Sequence, residues 1–289
     1  MWFWYAIVSG FIIAISVVIS KYALKNVSTP VVTWALFTFS IPFLAFIVLQ
    51  QGIPQTTEKF WYNAASSSFV FIFCKLIELY AVKHAPLESF YPLWVFSTVF
   101  TYILGILFLN EHIALLPLVG IAVTLVGAYL LNIHSAKKNI FLPLFLVFKN
   151  KILFFVFVGV FLGGLSAIFD KLAVTSLPTN NPAFVLLVEN IIMSSFLFIL
   201  LCVRRYDVMK QLKKYGWILL LMSMVYALGG IFTFSAFRYG AIALASAVKK
   251  TQILWVLLFG ILFFKEKPTK YTWIASVIMI LGIVLMKLA

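Results

Sequence analysis

Apolar residues run along this chain in blocks of about twenty, separated by short breaks that are polar or marked by proline. A helix rising 1.5 Å per residue needs about 20 mostly apolar residues to cross a bilayer core. Ten blocks meet that length: 3–24, 30–49, 61–82, 87–109, 114–134, 152–174, 183–203, 216–237, 242–264 and 270–288. Prolines stand at the start of four of them (Pro30, Pro86, Pro182, Pro268), where a missing backbone N–H costs a helix little. Most connections are short; the longer ones are 135–151 and the basic stretch 204–215. The pattern predicts an all-α polytopic membrane protein of ten transmembrane helices, numbered below in chain order.

The blocks also repeat. Gly105-Ile-Leu-Phe-Leu-Asn-Glu111 closes helix 4 and leads to a run holding Leu125-Val-Gly127; Gly260-Ile-Leu-Phe-Phe-Lys-Glu266 closes helix 9 and leads to one holding Ile280-Leu-Gly282. The offset is 155 residues, and Ser20-Lys21 matches Asp170-Lys171 at an offset of 150. A match at a near-constant offset marks an internal duplication. The expected halves are 1–134 and 152–289, five helices each, joined by a basic linker at 135–151. An odd number of helices per half turns the second copy over in the bilayer. Two inverted repeats meeting at a midplane site are a recurrent plan of secondary transporters.

Composition agrees with the pattern. Hydrophobic residues make up 64% of the chain, charged residues 10%, and the mean hydropathy is +1.11. A soluble domain carries roughly 45–50% apolar and about 25% charged residues, so a water-soluble fold is excluded. Met1-Trp-Phe-Trp-Tyr5 has no Lys or Arg and runs straight into helix 1, unlike a cleavable signal peptide, so this segment is expected to remain a membrane helix. Cys74 and Cys202 are too few for a disulfide framework and lie within or at the end of apolar runs.

The net charge of +14 would suit a nucleic-acid partner in a soluble protein. Here the basic residues gather in short loops between apolar runs, which is the positive-inside pattern and gives no reason to invoke nucleic acid. Counted by alternate loops, about 15 Lys and Arg fall on one side; four (Lys59, Lys171, Arg238, Lys287) fall on the other. The remaining three, Lys75, Lys249 and Lys250, are inside helices. Both termini are therefore expected outside the cytoplasm.

With these residues in view, the chain resembles the EamA domain of the drug/metabolite transporter superfamily. The likeness rests on Gly105 to Glu111 followed by Gly120 and Leu125-Val-Gly127, and on the second copy with Glu266 and Gly282; it extends over nearly the whole length. The resemblance implies a secondary transporter in the cell membrane, without cofactor or metal, often an exporter of amino acids or related small metabolites, with a central cavity between the halves. The superfamily also includes nucleotide-sugar and organophosphate exchangers, so membership leaves the substrate open, as it does the choice between monomer and homodimer. Two departures stand out: the loop after helix 2 holds only Lys59, and helix 9 lacks the proline often found in it.

Ionisable groups inside a bilayer cost about 2.5–3.5 kcal/mol each even on the lenient insertion scale, so each needs a reason. Lys75 and Glu78 in helix 3 are three residues apart on one helix face, either a self-neutralising pair or a charged cavity wall. Glu189, beside Asn190 in helix 7, has no opposite charge within a turn; it pairs with a lysine of another helix, the favoured reading, or carries a proton. Lys249 and Lys250 lie about 100° apart on helix 9 and too deep for both to snorkel, with Gln252 one turn on. They suit an anionic substrate group, and pairing with Glu78 or Glu189 is the structural alternative. Helix 4 carries a stripe of Tyr91, Trp94, Thr98 and Thr101, with Trp94 the repeat counterpart of Lys249. Gly163, Gly164, Gly229 and Gly230 read as packing positions.

His84, His112 and His134 sit at helix ends without metal-ligand spacing, and no P-loop or nucleophile–base set is present. An intramembrane enzyme acting on lipid-linked substrates would need such a set, and a scaffold would bury lysines without return. The expected function is gradient-driven export or exchange of small organic metabolites bearing an anionic group. Exchange is preferred over proton coupling through Glu189, because helix interiors show three lysines against two glutamates. A reporter fused after Ala289 should signal a non-cytoplasmic location; a cytoplasmic signal would show that the loop charges mislead.

Overall fold

The bilayer holds no water to satisfy a free N–H or C=O, so a chain this apolar must keep its backbone in helices. The structure, a computed structural model, describes residues 1–85, 87, 91–131, 151–264 and 270–288. Pro86, Glu266, Pro268, His134, Ala289 and the linker up to residue 150 lie outside the described residues. Among those described, ten helical segments follow one another. They are α1 (Trp2–Ala23), α2 (Thr29–Thr38 and Ile41–Gln51), α3 (Glu58–His84), α4 (a 3-10 stretch Tyr91–Phe96 running into Ser97–Leu109) and α5 (Leu115–Leu131). The second half supplies α6 (Lys151–Ser176), α7 (Pro182–Val203), α8 (Val208–Tyr239), α9 (Ile242–Lys249 and Thr251–Phe264) and α10 (Lys270–Lys287). Seven of these are long and apolar enough to span a bilayer, and shorter apolar helices cover Leu93–Leu109, Leu115–Gly127 and Trp273–Lys287.

Helix starts follow their capping residues. Pro30 and Pro182 occupy the first turns of α2 and α7. Thr57 Oγ1 accepts the Phe60 N–H at 3.3 Å, and Asn181 Oδ1 accepts the Phe184 N–H at 2.9 Å. The basic stretch 204–215, expected as a loop, is corrected here: α8 begins at Val208. Asp207 supplies the cap, its Oδ1 accepting the Lys210 N–H at 3.2 Å, so most of the lysines lie on the first turns of a helix.

Helix 2 is not one continuous rod. Pro42 has no N–H for the carbonyl of Thr38 and its ring crowds that turn, so the helix stops at Thr38 and restarts at Ile41. The irregular turn is held from α7: Asn190 Nδ2 donates to Ser40 Oγ at 2.7 Å, and Thr38 Oγ1 bonds Ser194 Oγ at 2.6 Å.

Packing between the halves is crossed. α1 lies along α8 and α9, while α6 lies along α3 and α4; α2 meets α7, and α5 meets α10. The first helix of each half thus rests on the third and fourth helices of the other, as an inverted repeat requires. The glycines of the repeated motif serve the α5–α10 contact. A Cβ on Gly120 would come within 2.7 Å of the Gly282 carbonyl, one on Gly127 within 2.8 Å of the Met279 nitrogen, and one on Gly282 within 2.6 Å of the Gly120 carbonyl. Side chains absent at these positions let the two backbones touch.

Gly120→Val should therefore force α5 from α10 and destabilise the protein by about 1–3 kcal/mol, the usual cost of overpacking. Gly216→Ala, in α8 with open space around it, should be neutral or slightly stabilising because alanine is the better helix former. Thermal unfolding midpoints in detergent compare the two; equal midpoints would show that the glycine contact carries no stability.

Candidate functional site

Where the halves meet, α1, α3, α4, α6, α7, α8 and α9 enclose a cavity of about 130 Å³. Lys75, Glu78, Trp94, Glu189, Lys249, Lys250 and Gln252, all singled out from the sequence, are among the side chains that line it. For Tyr91 the structure describes the backbone, in the 3-10 stretch of α4, and not the side chain. Ser97 and Thr101 continue the α4 wall, and Tyr226 and Thr233 of α8 face it.

Both α4 and α9 are irregular at the cavity, and at matching places. The 3-10 stretch Tyr91–Phe96, shifted by the repeat offset of 155, falls on 246–251, where α9 breaks. Lys249 ends the first piece of α9, and Lys250, at φ −66° and ψ −4°, turns the chain into the second. The lysines thus occupy a discontinuity, not the middle of a regular helix as the sequence suggested. The C-terminal end of the short leading helix carries partial negative charge, which favours cations there. Gly10 of α1 makes room for the break, since a Cβ there would lie 2.8 Å from the Lys249 carbonyl oxygen and 3.1 Å from the Gln252 nitrogen. On the other half Gly164 of α6 does the same for α4, with a Cβ 2.8 Å from that of Phe100 and 3.2 Å from the Ser97 carbonyl oxygen.

Lys75 Nζ donates to Glu78 Oε2 at 2.8 Å and stands 4.9 Å from the centre of the Tyr226 ring. That pair neutralises itself and lines the cavity. Lys249 Nζ lies 5.2 Å from the Phe237 ring centre, and neither Lys249 nor Lys250 has a carboxylate within salt-bridge distance among the described residues. The expected pairing of Glu189 with a lysine is likewise absent there: Glu189 is 3% exposed, and its Oε1 has no hydrogen-bond partner.

One charged cavity residue escaped the sequence reading. Asp170, noticed only as a repeat marker near the end of helix 6, is buried and faces the cavity, where Ser67 Oγ donates to its Oδ1 and lies 3.1 Å from Ser166 Oγ. It stands six residues before the end of α6, about 9 Å along the axis, away from the middle of the apolar run. The formal charges lining the cavity are therefore three positive (Lys75, Lys249, Lys250) and three negative (Glu78, Asp170, Glu189).

Other polar atoms at or near the cavity also lack partners among the described residues: Trp94 Nε1, Thr98 Oγ1, Asn190 Oδ1 and Thr251 Oγ1. Trp94 fits its indole against α6 because Gly159 and Gly163 have no side chains; Cβ atoms there would lie 3.3 Å and 3.4 Å from the ring. Among the described residues no three His, Cys, Asp or Glu side chains gather to hold a metal ion.

A second polar cluster closes one end of the bundle. Asn110 takes the left-handed conformation at φ 51°, which ends α4 and returns the Glu111 N–H to the Gly105 carbonyl at 3.2 Å. Glu111 is thereby set over the start of α9, where its Oε2 accepts the Ile242 N–H at 2.8 Å and its Oε1 accepts from Lys171 of α6. Lys171 Nζ also donates to the Gly240 carbonyl at 2.7 Å, and Arg238 donates to the Val174 and Leu177 carbonyls. The acid of the repeated motif is thus a latch across the halves, a role its position in an apolar run's closing turn did not disclose.

The fold and sequence were compared with known proteins. No curated protein matches the sequence. A crystal structure of another protein shares the fold, with a TM-score of 0.71 at 12% identity, covering 98% of this chain and 96% of that one. The model of the EamA-like transporter family matches residues 1–133 and again 150–288. Two matching domains, ten helices and a polar cavity between the halves agree, and the chain belongs to the EamA-like transporter family, multi-pass membrane transporters rather than enzymes.

Proposed function

We propose that this transporter moves small zwitterionic metabolites of the amino-acid type across the cell membrane, as an exporter or exchanger. The observation that carries the reading is the balance of charge in the cavity: three cations and three anions, with Lys249, Lys250, Asp170 and Glu189 lacking ion-pair partners within salt-bridge distance among the described residues. A carboxylate would lie against the α9 lysines and the Trp94 N–H. An ammonium group would lie against Asp170 and Glu189, with the free oxygen of Asn190 beside them. Both ends of such a molecule replace hydration with charge-assisted hydrogen bonds, the strong kind in a site of low dielectric.

The size of the space supports the same class. A cavity of about 130 Å³ has room for a small metabolite. An organophosphate dianion would bring two negative charges to a wall that already holds Asp170 and Glu189, whose repulsion opposes it. The latch of Glu111, Lys171, Gly240 and Ile242 stands at the end where α4, α6 and α8 finish; by the loop charges this is the non-cytoplasmic end, with both termini. Release to that side requires the latch to part.

Proteoliposomes should exchange labelled amino acids and leave phosphorylated metabolites behind; the reverse preference would sink the zwitterion reading. Lys249→Gln and Lys250→Gln should each lower exchange about tenfold or more, since a hydrogen bond to a charged group contributes about 1.5–3 kcal/mol. Normal exchange by both variants would make the lysines structural. For the latch, Glu111→Gln should speed the reaction of Cys74, inside the cavity, with an impermeant thiol reagent added to whole cells in a Cys202→Ser background. An unchanged rate would show that this cluster does not control access.

A further inference from the structure

We propose that Asp170, with Ser67, Ser166 and Glu189, forms a proton-binding subsite of the cavity, occupied in turn by a proton and by the substrate's ammonium group. The proposal rests on the zwitterion reading above and adds to it the coupling of transport to protons.

The repeat shows that the fold does not require a carboxylate at this position. Lys21 and Lys171 match, but the residue before them is Ser20 in one half and Asp170 in the other. Ser20 is as well buried as Asp170, and its hydroxyl simply returns to the Ser16 carbonyl at 2.7 Å, satisfying itself within α1. A serine would therefore serve the packing of α6, and the carboxylate answers some other need.

Its surroundings point to a small exchangeable cation. Asp170 is held by a hydroxyl and not by a cation: Ser67 Oγ donates to it, and Ser166 Oγ stands behind Ser67. No lysine or arginine comes within salt-bridge distance of Asp170 or Glu189 among the described residues. The second carboxylate, Glu189 of α7, lines the same cavity and has one oxygen without a hydrogen-bond partner among the described residues. Two acids facing one space with neutral partners leave room for a single positive charge. The charged groups that face this space from the other helices are Lys75 and Glu78 of α3, which neutralise each other, and Lys249 and Lys250 of α9. Tyr226 of α8 and Cys74 of α3 complete the titratable lining. Lys249 lines the same cavity and makes no ion pair with Asp170 among the described residues.

The neighbouring residue supplies the mechanical link. Lys171 follows Asp170 on α6, turned by about 100°, and is the cation of the Glu111 latch. A change of occupant at Asp170 therefore acts on the same turn of helix that holds the end of the bundle shut. The first half has no such arrangement, because a self-satisfied serine precedes Lys21. Coupling built this way uses one half only.

Competition between proton and ammonium predicts that substrate binding releases protons. Purified protein in weakly buffered detergent solution receives an equimolar mixture of neutral amino acids, and a pH indicator reads the release. Wild type should release about one proton per amino acid bound, Asp170→Asn none, and Asp170→Glu should recover the release; affinity in wild type should fall as pH falls, and that slope should flatten in Asp170→Asn. Binding without proton release, release undiminished in Asp170→Asn, or binding that requires sodium would each overturn the proposal while leaving the zwitterion reading in place. If wild type neither binds nor exchanges any amino acid, the zwitterion reading fails and this proposal with it. Should Asp170→Asn not fold, Ser67→Ala removes only the hydroxyl that donates to Asp170, and the pH at which binding is halved should then shift; no shift overturns the proposal as well.

Discussion

A backbone polar group left unpaired in hydrocarbon costs several kcal/mol, and the departures from helix in this protein are arranged around that cost. The break in α9, the 3-10 stretch of α4 and the interruption of α2 all face the interior of the bundle, where side chains and neighbouring helices can satisfy or shield them. Asn190 reaches across from α7 to the broken turn of α2, and Gly10 lets α1 lie close against the break in α9. The irregular stretches of α4 and α9 border the cavity. Irregular backbone is tolerated at membrane depth where it borders a polar space, and a polar space is where a substrate can be desolvated and held.

The charges follow the same logic. Lys75 and Glu78 satisfy one another on a single helix face, so their presence in the wall adds little net field. Lys249 and Lys250 of α9, Asp170 of α6 and Glu189 of α7 line one cavity from three helices, with no ion pair among them within salt-bridge distance. Opposite charges that share a region of low dielectric without touching act on one another strongly across the space.

Much of this could be read from the sequence, and the parts that could not have definite causes. Helix positions were legible because twenty apolar residues in a row have few other uses, and the five-plus-five plan because Gly105 to Glu111 recurs at Gly260 to Glu266. Lys249 and Lys250 were legible as intruders in an apolar run. The break between them was not, since without a proline a local sequence gives no sign that a helix will stop. Pro42 did give such a sign for α2, and its clash with the turn before it explains the interruption. Asp170 was hidden by its distance along the chain from the centre of its helix; depth in the bundle depends on how far α6 extends, and the helix runs to Ser176. Glu111 was hidden because its partners, Lys171 and Ile242, come from the other half, and no spacing within one half reveals a contact of that kind.

The crossed packing of the halves has a bearing on how the chain is made. α1 lies along α8, α3 along α6 and α5 along α10, so the principal seams of the first half are completed by helices synthesised after it. When α5 has just been inserted, the faces of α1 and α3 that end up buried still border lipid, or whatever escorts nascent helices. Ser67, Lys75 and Glu78 are on one of those faces. The first five helices are then a set of waiting surfaces more than a domain, and assembly becomes cooperative only once α6 and α8 arrive. A chain terminated after α5 would leave its polar residues without their seams, a substrate for quality control and not half of a transporter.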